Sequence, residues 1–292
     1  METRVRVLTI LVRYGTELYP HAEEHVAEIY RRQMPGVARD VVVVDNALPS
    51  GYVEPGDHRL VIGGDNTFRE FSGFDRALQH LAGDLWQYDL VHFVTEAFHT
   101  LYVDYLARFD TALLEAIVGR AVCVGHIDCY NQPIEILGFL SQHWIRTCFF
   151  YMSPGDARAL GSCVTLRDGA PFFSGDPAAP FRADAPLSRR YQEYLIDWIT
   201  GQDIGQGVTW HSSFGLTPET LPSFERKAMY SIMNEHLLGI RLRAMGCRVT
   251  DVTWLATMLK TGNGSAIRWD TPWQHQLANR DHAALAVPAA AI

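Results

Sequence analysis

The chain has 292 residues, of which 48% are hydrophobic and 20% are charged, and its formal net charge is −8 with a pI of about 5.8. This composition suits one large domain, or a domain with an extension, that can bury an ample core. The acidic balance and the lack of any long lysine or arginine run exclude a broad nucleic-acid-binding surface, so we expect no nucleic-acid partner.

The cysteines and the lengths of the apolar runs indicate the cellular location of the protein. The five cysteines are scattered and form no Cys-x-x-Cys pair, which favours buried, reduced thiols over a zinc site or a redox pair. No apolar run has the length needed to span a bilayer, and the first residues lead into a strand pattern, not a signal peptide. We therefore expect a soluble, cytoplasmic protein without a transmembrane segment.

Apolar runs separated by helical patterns dominate the first 125 residues. Strands are predicted at 5–12, 41–44, 60–62, 90–94 and 121–124, and helices at 20–33, 68–81 and 101–118. Continuous β-branched runs that alternate with helices are typical of a parallel α/β sheet. The sequence therefore predicts a Rossmann-like βαβ half over residues 1–125.

The second half has weaker signals. Between 155 and 186 the composition shifts to Gly, Pro, Ala and Asp, which predicts turns or an exposed loop. A helix rich in aromatic residues is predicted at 191–200, and no internal repeat is visible. The last residues, from Pro288 on, have the composition of a frayed tail.

The segment from Asn234 to Val249 consists of an acidic residue, a short amphipathic helix, a glycine and a strand. Leu238 and Leu242 share one helical face, and Gly246 suits the position after the helix end. This segment resembles the acidic-pair helix of family 2 and related glycosyltransferases, where Glu-Asp precedes Leu-x-x-Arg-Leu-x-x-x-Gly. The resemblance implies that Glu235 is the general base that activates an acceptor hydroxyl, with His236 where the family usually has Asp.

Two more patches resemble uncharacterised family 2-like transferases of bacterial polysaccharide gene clusters. Residues 64–78 resemble their Asn-x-x-x-x-Glu-Phe-Ser-Gly-Trp-Asp-x-Gly-Leu segment, with Phe74 replacing Trp and Ala77 replacing the second Gly. Residues 143–153 resemble their Ser-Trp-x-Arg-Thr-x-Phe-Phe strand. The resemblance covers about 5–255.

This resemblance implies an α/β fold of the GT-A type, Rossmann-like, with a mixed, mainly parallel central sheet flanked by helices. Its glycosyltransferase domain would cover 1–255, with the nucleotide-sugar-binding half at 1–125 and the acceptor and catalytic half at 126–255. Residues 256–292 would form a C-terminal extension.

The resemblance also implies a donor site at the carboxyl ends of the strands, where parallel α/β sheets bind ligands. Asp45 would accept a hydrogen bond from the base, although a turn or cap role also suits that position. Arg146 is expected to bind the leaving diphosphate, because a guanidinium matches phosphate oxygens. The other expected substrate contacts are Thr16, Asn66, Arg76, Thr95, Glu96, Asp128, Trp144 and His211. Core packing is an equal alternative for Trp144.

The metal motif of the family is missing. Asp-x-Asp occurs nowhere in the chain, and Glu96 is the only acid near the end of the fourth predicted strand. A hard cation that bridges a diphosphate prefers carboxylate oxygens and keeps several waters. Two interpretations stay open: the diphosphate is handled without metal, or Mg²⁺ or Mn²⁺ is bound weakly through Glu96 and the substrate.

We expect inverting glycosyl transfer from a nucleotide-sugar donor to a saccharide or lipid-linked acceptor in cell-surface polysaccharide synthesis. The protein could act in the cytoplasm or at the inner membrane face, and as an oligomer. A nucleotidyltransferase would need a Gly-rich, basic loop after the first strand, and Arg13-Tyr14-Gly15 is a poor match. A non-catalytic nucleotide-sugar-binding partner subunit is the other alternative, which the missing Asp-x-Asp and the change from Glu-Asp to Glu-His favour.

Overall fold

The computed structural model describes residues 5–100, 103–202, 210, 212–261 and 267–279. The strands are β1 (Arg6–Arg13), β2 (Ala38–Asp45), β3 (Val53–Gly56), β4 (Arg59–Gly63), β5 (Leu90–Thr95), β6 (Val122–Ile136), β7 (Phe139–Met152) and β8 (Arg248–Asp251). The α-helices are α1 (Ala22–Gln33), α2 (Arg69–His80), α3 (Thr111–Ile117), α4 (Pro154–Leu160), α5 (Arg189–Thr200), α6 (Leu221–Arg226), α7 (Asn234–Ala244), α8 (Val252–Lys260) and α9 (Trp273–Ala278). None of the helices in these ranges combines the length and the apolar character that a bilayer crossing requires.

One eight-stranded sheet runs in the order β3-β4-β2-β1-β5-β7-β6-β8. β1 is parallel to β2 and β5, β2 is parallel to β4, and β6 is parallel to β8. β3 is antiparallel to β4, and β5 is antiparallel to β7. This mixed α/β sheet flanked by helices confirms the predicted Rossmann-like fold class.

The apolar runs of the sequence form the centre of the sheet. Val7, Leu8, Ile10 and Leu11 of β1 are all buried, because β1 has a strand on either side and is covered on both faces. The three phenylalanines of the 64–78 patch are also buried: Phe68, Phe71 and Phe74.

The chain divides into two compact units. The first consists of Met1–Ile127, Ile145–Cys163 and Arg241–Ile292, and the second consists of Asp128–Trp144 and Val164–Ile240. β6, β7 and α7 therefore each contribute residues to both units.

Three predicted elements differ from the observed ones. The helix predicted over 101–118 is shorter, because a 3-10 turn (Asp104–Arg108) ends in extended backbone at Phe109. Asp110 then starts α3 by accepting a hydrogen bond from the amide of Leu113 (2.8 Å). The loop predicted over 155–186 contains most of α4, and β6 extends far beyond the predicted 121–124.

Candidate functional site

In the first unit, four strands end at the same edge of the sheet. Arg13 of β1 is the register partner of Asp45 of β2, and Val12 lies opposite Thr95 of β5. The chain moves outward from β1 through β2 to β4, and then returns to the other side of β1 to form β5. This reversal is a topological switch point, the place where open α/β sheets bind ligands. The predicted contacts Thr95 and Glu96 lie at this edge.

Asp45 is buried and its carboxylate is fully engaged. Oδ1 accepts hydrogen bonds from the amides of Gly15 (2.9 Å) and Ala47 (3.0 Å), and Oδ2 accepts one from Nε of Arg13 (2.7 Å). Gly15 has a φ of +69°, a conformation that favours glycine. Asp45 therefore joins the loops after β1 and β2, and Arg13 is a partner that the sequence did not identify.

Glu96 connects the two strands at the switch point. Its Oε2 accepts a hydrogen bond from the amide of Tyr14 (3.0 Å), and its own amide donates to the carbonyl of Val12 (3.0 Å). Burial raises the pKa of Glu96, and the negative charge of Asp45 raises it further. Glu96 is thus a partly buried carboxylate at the edge where a ligand would bind.

The carboxylates at this edge do not make up a Mg²⁺ or Mn²⁺ site of their own. Both oxygens of Asp45 are engaged, and one oxygen of Glu96 is engaged. No group of three or more His, Cys, Asp or Glu side chains within the described ranges is arranged to hold a metal ion. Mg²⁺ is usually bound by one or two carboxylates together with substrate phosphates, so the diphosphate of a bound donor would have to complete any site that includes Glu96.

The loops after β2 and β4 approach each other closely. Nδ2 of Asn46 contacts Oδ1 of Asn66 (3.4 Å) and the carbonyl of Arg69 (3.3 Å). A Cβ atom on Gly63 would lie 1.7 Å from the carbonyl oxygen of Pro49, so only glycine fits there. Asn66 itself is exposed and has a φ of +53°.

The other residues of the first unit that were predicted to contact substrate lie on separate elements. Thr16 is exposed in the loop after β1, and Arg146 is partly exposed on β7. Arg76 donates from Nη2 to the carbonyl of Ser50 (2.8 Å), which holds the loop after β2. His211 lies outside the described residues.

In the second unit, Glu235 and His236 belong to one continuous helical run. α6 continues into a π-helix (Lys227–Met233), which continues into α7. Asn234 has helical dihedrals (φ −67°, ψ −38°), so it does not cap a new helix. Glu235 is therefore a partly exposed residue in the first turn of α7, two residues after a π-helical segment ends, and such segments are often found at functional sites.

The buried side chain of Asn234 anchors this helical run. Its Oδ1 accepts hydrogen bonds from the amides of Thr165 and Leu166 (both 2.8 Å). Its Nδ2 donates to the carbonyls of Met229 (3.0 Å) and Leu166 (3.4 Å). These four bonds fix the position of Asn234, and with it the start of α7.

His236 lies inside a cluster of tyrosines. Its Nδ1 lies 2.5 Å from the hydroxyl of Tyr191 and 2.7 Å from that of Tyr130. Burial lowers the pKa of His236 to about 3, against a smaller opposite effect of Asp128. The imidazole is therefore neutral, and in the tautomer protonated on Nε2 its Nδ1 can accept a hydrogen bond from a tyrosine hydroxyl.

Trp144 completes the same cluster. Its ring lies 4.6 Å from the rings of Tyr130 and His236, and it is buried. This position favours the packing interpretation of Trp144 over direct stacking against a sugar. Asp128 of β6, two residues before Tyr130, is partly exposed. The tyrosine partners of His236 were not predicted, because their distance along the chain gave no signal.

No protein-family model matches the chain, and no curated protein matches it. Among solved structures, the mannosyltransferase PcManGT from Pyrobaculum calidifontis, in complex with GDP-Man and Mn²⁺, is similar at 16% identity. The match covers 95% of this chain and 85% of that chain, with a TM-score of 0.30. Because this similarity is low, nothing is transferred from that protein.

Proposed function

We propose that the protein is a glycosyltransferase that uses a nucleotide-sugar donor and transfers the sugar to a saccharide or lipid-linked acceptor. The observation that carries this proposal is the switch point between β1 and β5, which has Glu96 and the loops held by Asp45 at its edge. This is where an α/β sheet of this topology binds a ligand. The order of the resembling patches along the chain supports the same assignment.

The loops held by Asp45 would bind the nucleotide. Because Asp45 already accepts from Arg13, Gly15 and Ala47, its role would be to shape these loops. The base would then contact the loop atoms themselves. Asn66 and Thr16 are exposed in neighbouring loops and are the side chains proposed to reach the donor.

Glu235 is proposed as the general base. Its carboxylate would take the proton of the acceptor hydroxyl while the acceptor oxygen bonds to the anomeric carbon and the bond to the diphosphate breaks. Arg146 is proposed to stabilise the charge that grows on the diphosphate, with His211 or Arg76 as a second donor. His236 is buried and neutral, so we assign it to positioning and not to proton transfer.

Calorimetric titration tests donor binding. The purified chain is titrated with UDP, GDP, CDP and dTDP, each with Mn²⁺ or with EDTA. The proposal expects micromolar binding of one nucleotide, and Glu96→Gln shows whether any effect of Mn²⁺ depends on Glu96. Binding that persists in EDTA would establish metal-independent recognition. Absence of binding to all four nucleotides contradicts the proposed function.

The competing candidate is a nucleotide-sugar-binding partner subunit without activity. The engaged carboxylate of Asp45 and the lack of a carboxylate cluster in the described ranges favour it. Such a protein would bind one nucleotide and would leave its sugar donor intact in the presence of every acceptor. Release of the nucleoside diphosphate from a bound donor would distinguish the transferase from it.

A further inference from the structure

We propose that helix α5 carries a subsite for an extended saccharide, formed by Tyr194 and Trp198 with the carboxylates of Asp197 and Glu235 at its polar edge. The inference rests on the proposed function only where it identifies this saccharide with the acceptor. All four residues belong to the second unit.

The ring of Tyr194 packs against other aromatic rings. Its ring meets that of Tyr130 edge-on at 4.4 Å and lies nearly parallel to that of Tyr191 at 6.4 Å. Tyr130 and Tyr191 are buried, whereas Tyr194 is partly exposed. A ring that is already held in place loses little conformational freedom when a ligand binds, which favours affinity.

Trp198 extends this aromatic surface by one helical turn. Residues four apart lie on the same face of a helix, and one turn rises about 5.4 Å. Both Tyr194 and Trp198 are partly exposed and border the fully buried face of α5, which is Tyr191, Leu195 and Ile199. Two aromatic side chains one helical turn apart can contact successive sugar units of an extended chain. A sugar ring presents an apolar face of C–H groups that packs on aromatic rings.

Two carboxylates supply the hydrogen-bond acceptors that sugar hydroxyls require. Asp197 lies three residues after Tyr194 on the same face of α5 and is partly exposed. Glu235 directly precedes His236, whose Nδ1 lies 2.7 Å from the hydroxyl of Tyr130 and 2.5 Å from that of Tyr191. Its negative charge also raises the pKa values of Tyr130 and Tyr191, after the larger effect of burial. Glu235 therefore borders the cluster that packs against Tyr194. Aromatic surface with a few polar groups is the usual composition of a small-molecule site.

A glycan array, with no nucleotide present, tests the inference on the full chain. The wild type is compared with Tyr194→Ala, Tyr194→Phe and Trp198→Ala. Trp86→Ala is the matched control, because Trp86 is an exposed tryptophan of the first unit. We expect the wild type to bind one class of oligosaccharide, and Tyr194→Ala and Trp198→Ala to weaken that binding roughly tenfold or more. Tyr194→Phe and Trp86→Ala should bind as the wild type does.

The inference is overturned if no oligosaccharide binds, or if Trp198→Ala binds as well as the wild type. Trp198→Ala decides the result if Tyr194→Ala fails to fold. The nucleotide titration on the same preparation separates the two proposals. Nucleotide binding without glycan binding removes only the saccharide subsite, and glycan binding without nucleotide binding removes only the transferase.

Discussion

At the residue scale, the environment of Glu235 suits a general base better than the environment of His236 does. Glu235 is partly exposed, whereas His236 is sealed among tyrosine hydroxyls. A general base must be able to reach the acceptor hydroxyl, and of these two side chains only that of Glu235 is accessible.

We predict that Glu235→Gln reduces glycosyl transfer by about two to four orders of magnitude, because the amide cannot take the acceptor proton. Nucleotide affinity should stay within about twofold of the wild type by calorimetry. Glu225→Gln, another partly exposed glutamate of the same helical run, is the control and should retain activity. A Glu235→Gln variant with normal turnover would remove Glu235 from the mechanism.

The sequence could place Asp45 and Glu96 at the sheet edge, because each follows an apolar strand and such strands end together. It could not predict their partners. The bonds to Arg13, Gly15 and Tyr14 depend on strand register and loop conformation, which residue patterns do not encode. The tyrosines around His236 were missed for the same reason.

At the element scale, the end of β4 depends on a glycine. We predict that Gly63→Ala destabilises the protein by about 3 kcal/mol or more, because the new Cβ would meet the carbonyl oxygen of Pro49 at 1.7 Å and the backbone would have to move. Urea unfolding measures this loss. Gly51→Ala, where no atom lies within 4 Å of the new Cβ, should have little effect. Equal stabilities of the two variants would show that the close approach is absent.

The attachment of α7 depends on one amide side chain. We predict that Asn234→Ala lowers the free energy of unfolding by about 3 to 5 kcal/mol, because it leaves the amides of Thr165 and Leu166 without their acceptor. Asn279→Ala, which removes an exposed bond to the carbonyl of His275, should change it by less than about 0.5 kcal/mol. Chemical denaturation distinguishes these results, and similar values for both variants would contradict the anchoring role.

Element prediction succeeded where both faces of a strand are buried, as in β1, β2 and β5, since continuous apolar runs mark such strands. It failed for the outer part of β6, where buried and exposed residues alternate around a proline, and for α8. Val252–Lys260 is apolar on several sides and its first five residues are all buried, so it shows no single helical face.

At the scale of the whole molecule, each unit contains a buried neutral histidine: His92 in the first and His236 in the second. Burial lowers the pKa of both, that of His92 well below 6.5 and that of His236 to about 3. The unfolded chain takes up these protons first as the pH falls. Stability is therefore complete above about pH 6.5 and decreases between pH 6.5 and the folded-state pKa values.

We predict that His236→Gln makes the free energy of unfolding less dependent on pH. Between pH 7.5 and pH 5 it should remove about 2 kcal/mol of the acid-induced loss, which corresponds to one histidine that is protonated only when unfolded. His58→Gln is the control of opposite sign, because Asp40 raises the pKa of His58 and its removal should steepen the loss. An unchanged pH profile for His236→Gln would mean that His236 is protonated in the folded protein.

The π-helical segment before Glu235 has a consequence for sequence comparison. A π-helical segment is geometrically an α-helix that has gained a residue, and the extra residue is absorbed by a wider turn. A relative that lacks one residue within Lys227–Met233 can keep Glu235 in place by returning to α-helical geometry. The residues before the deletion would then keep their faces, whereas a deletion in a regular α-helix rotates them by about 100° around the helix axis. An alignment of this chain to such relatives therefore requires a one-residue gap inside a helix, a position where alignments normally forbid gaps.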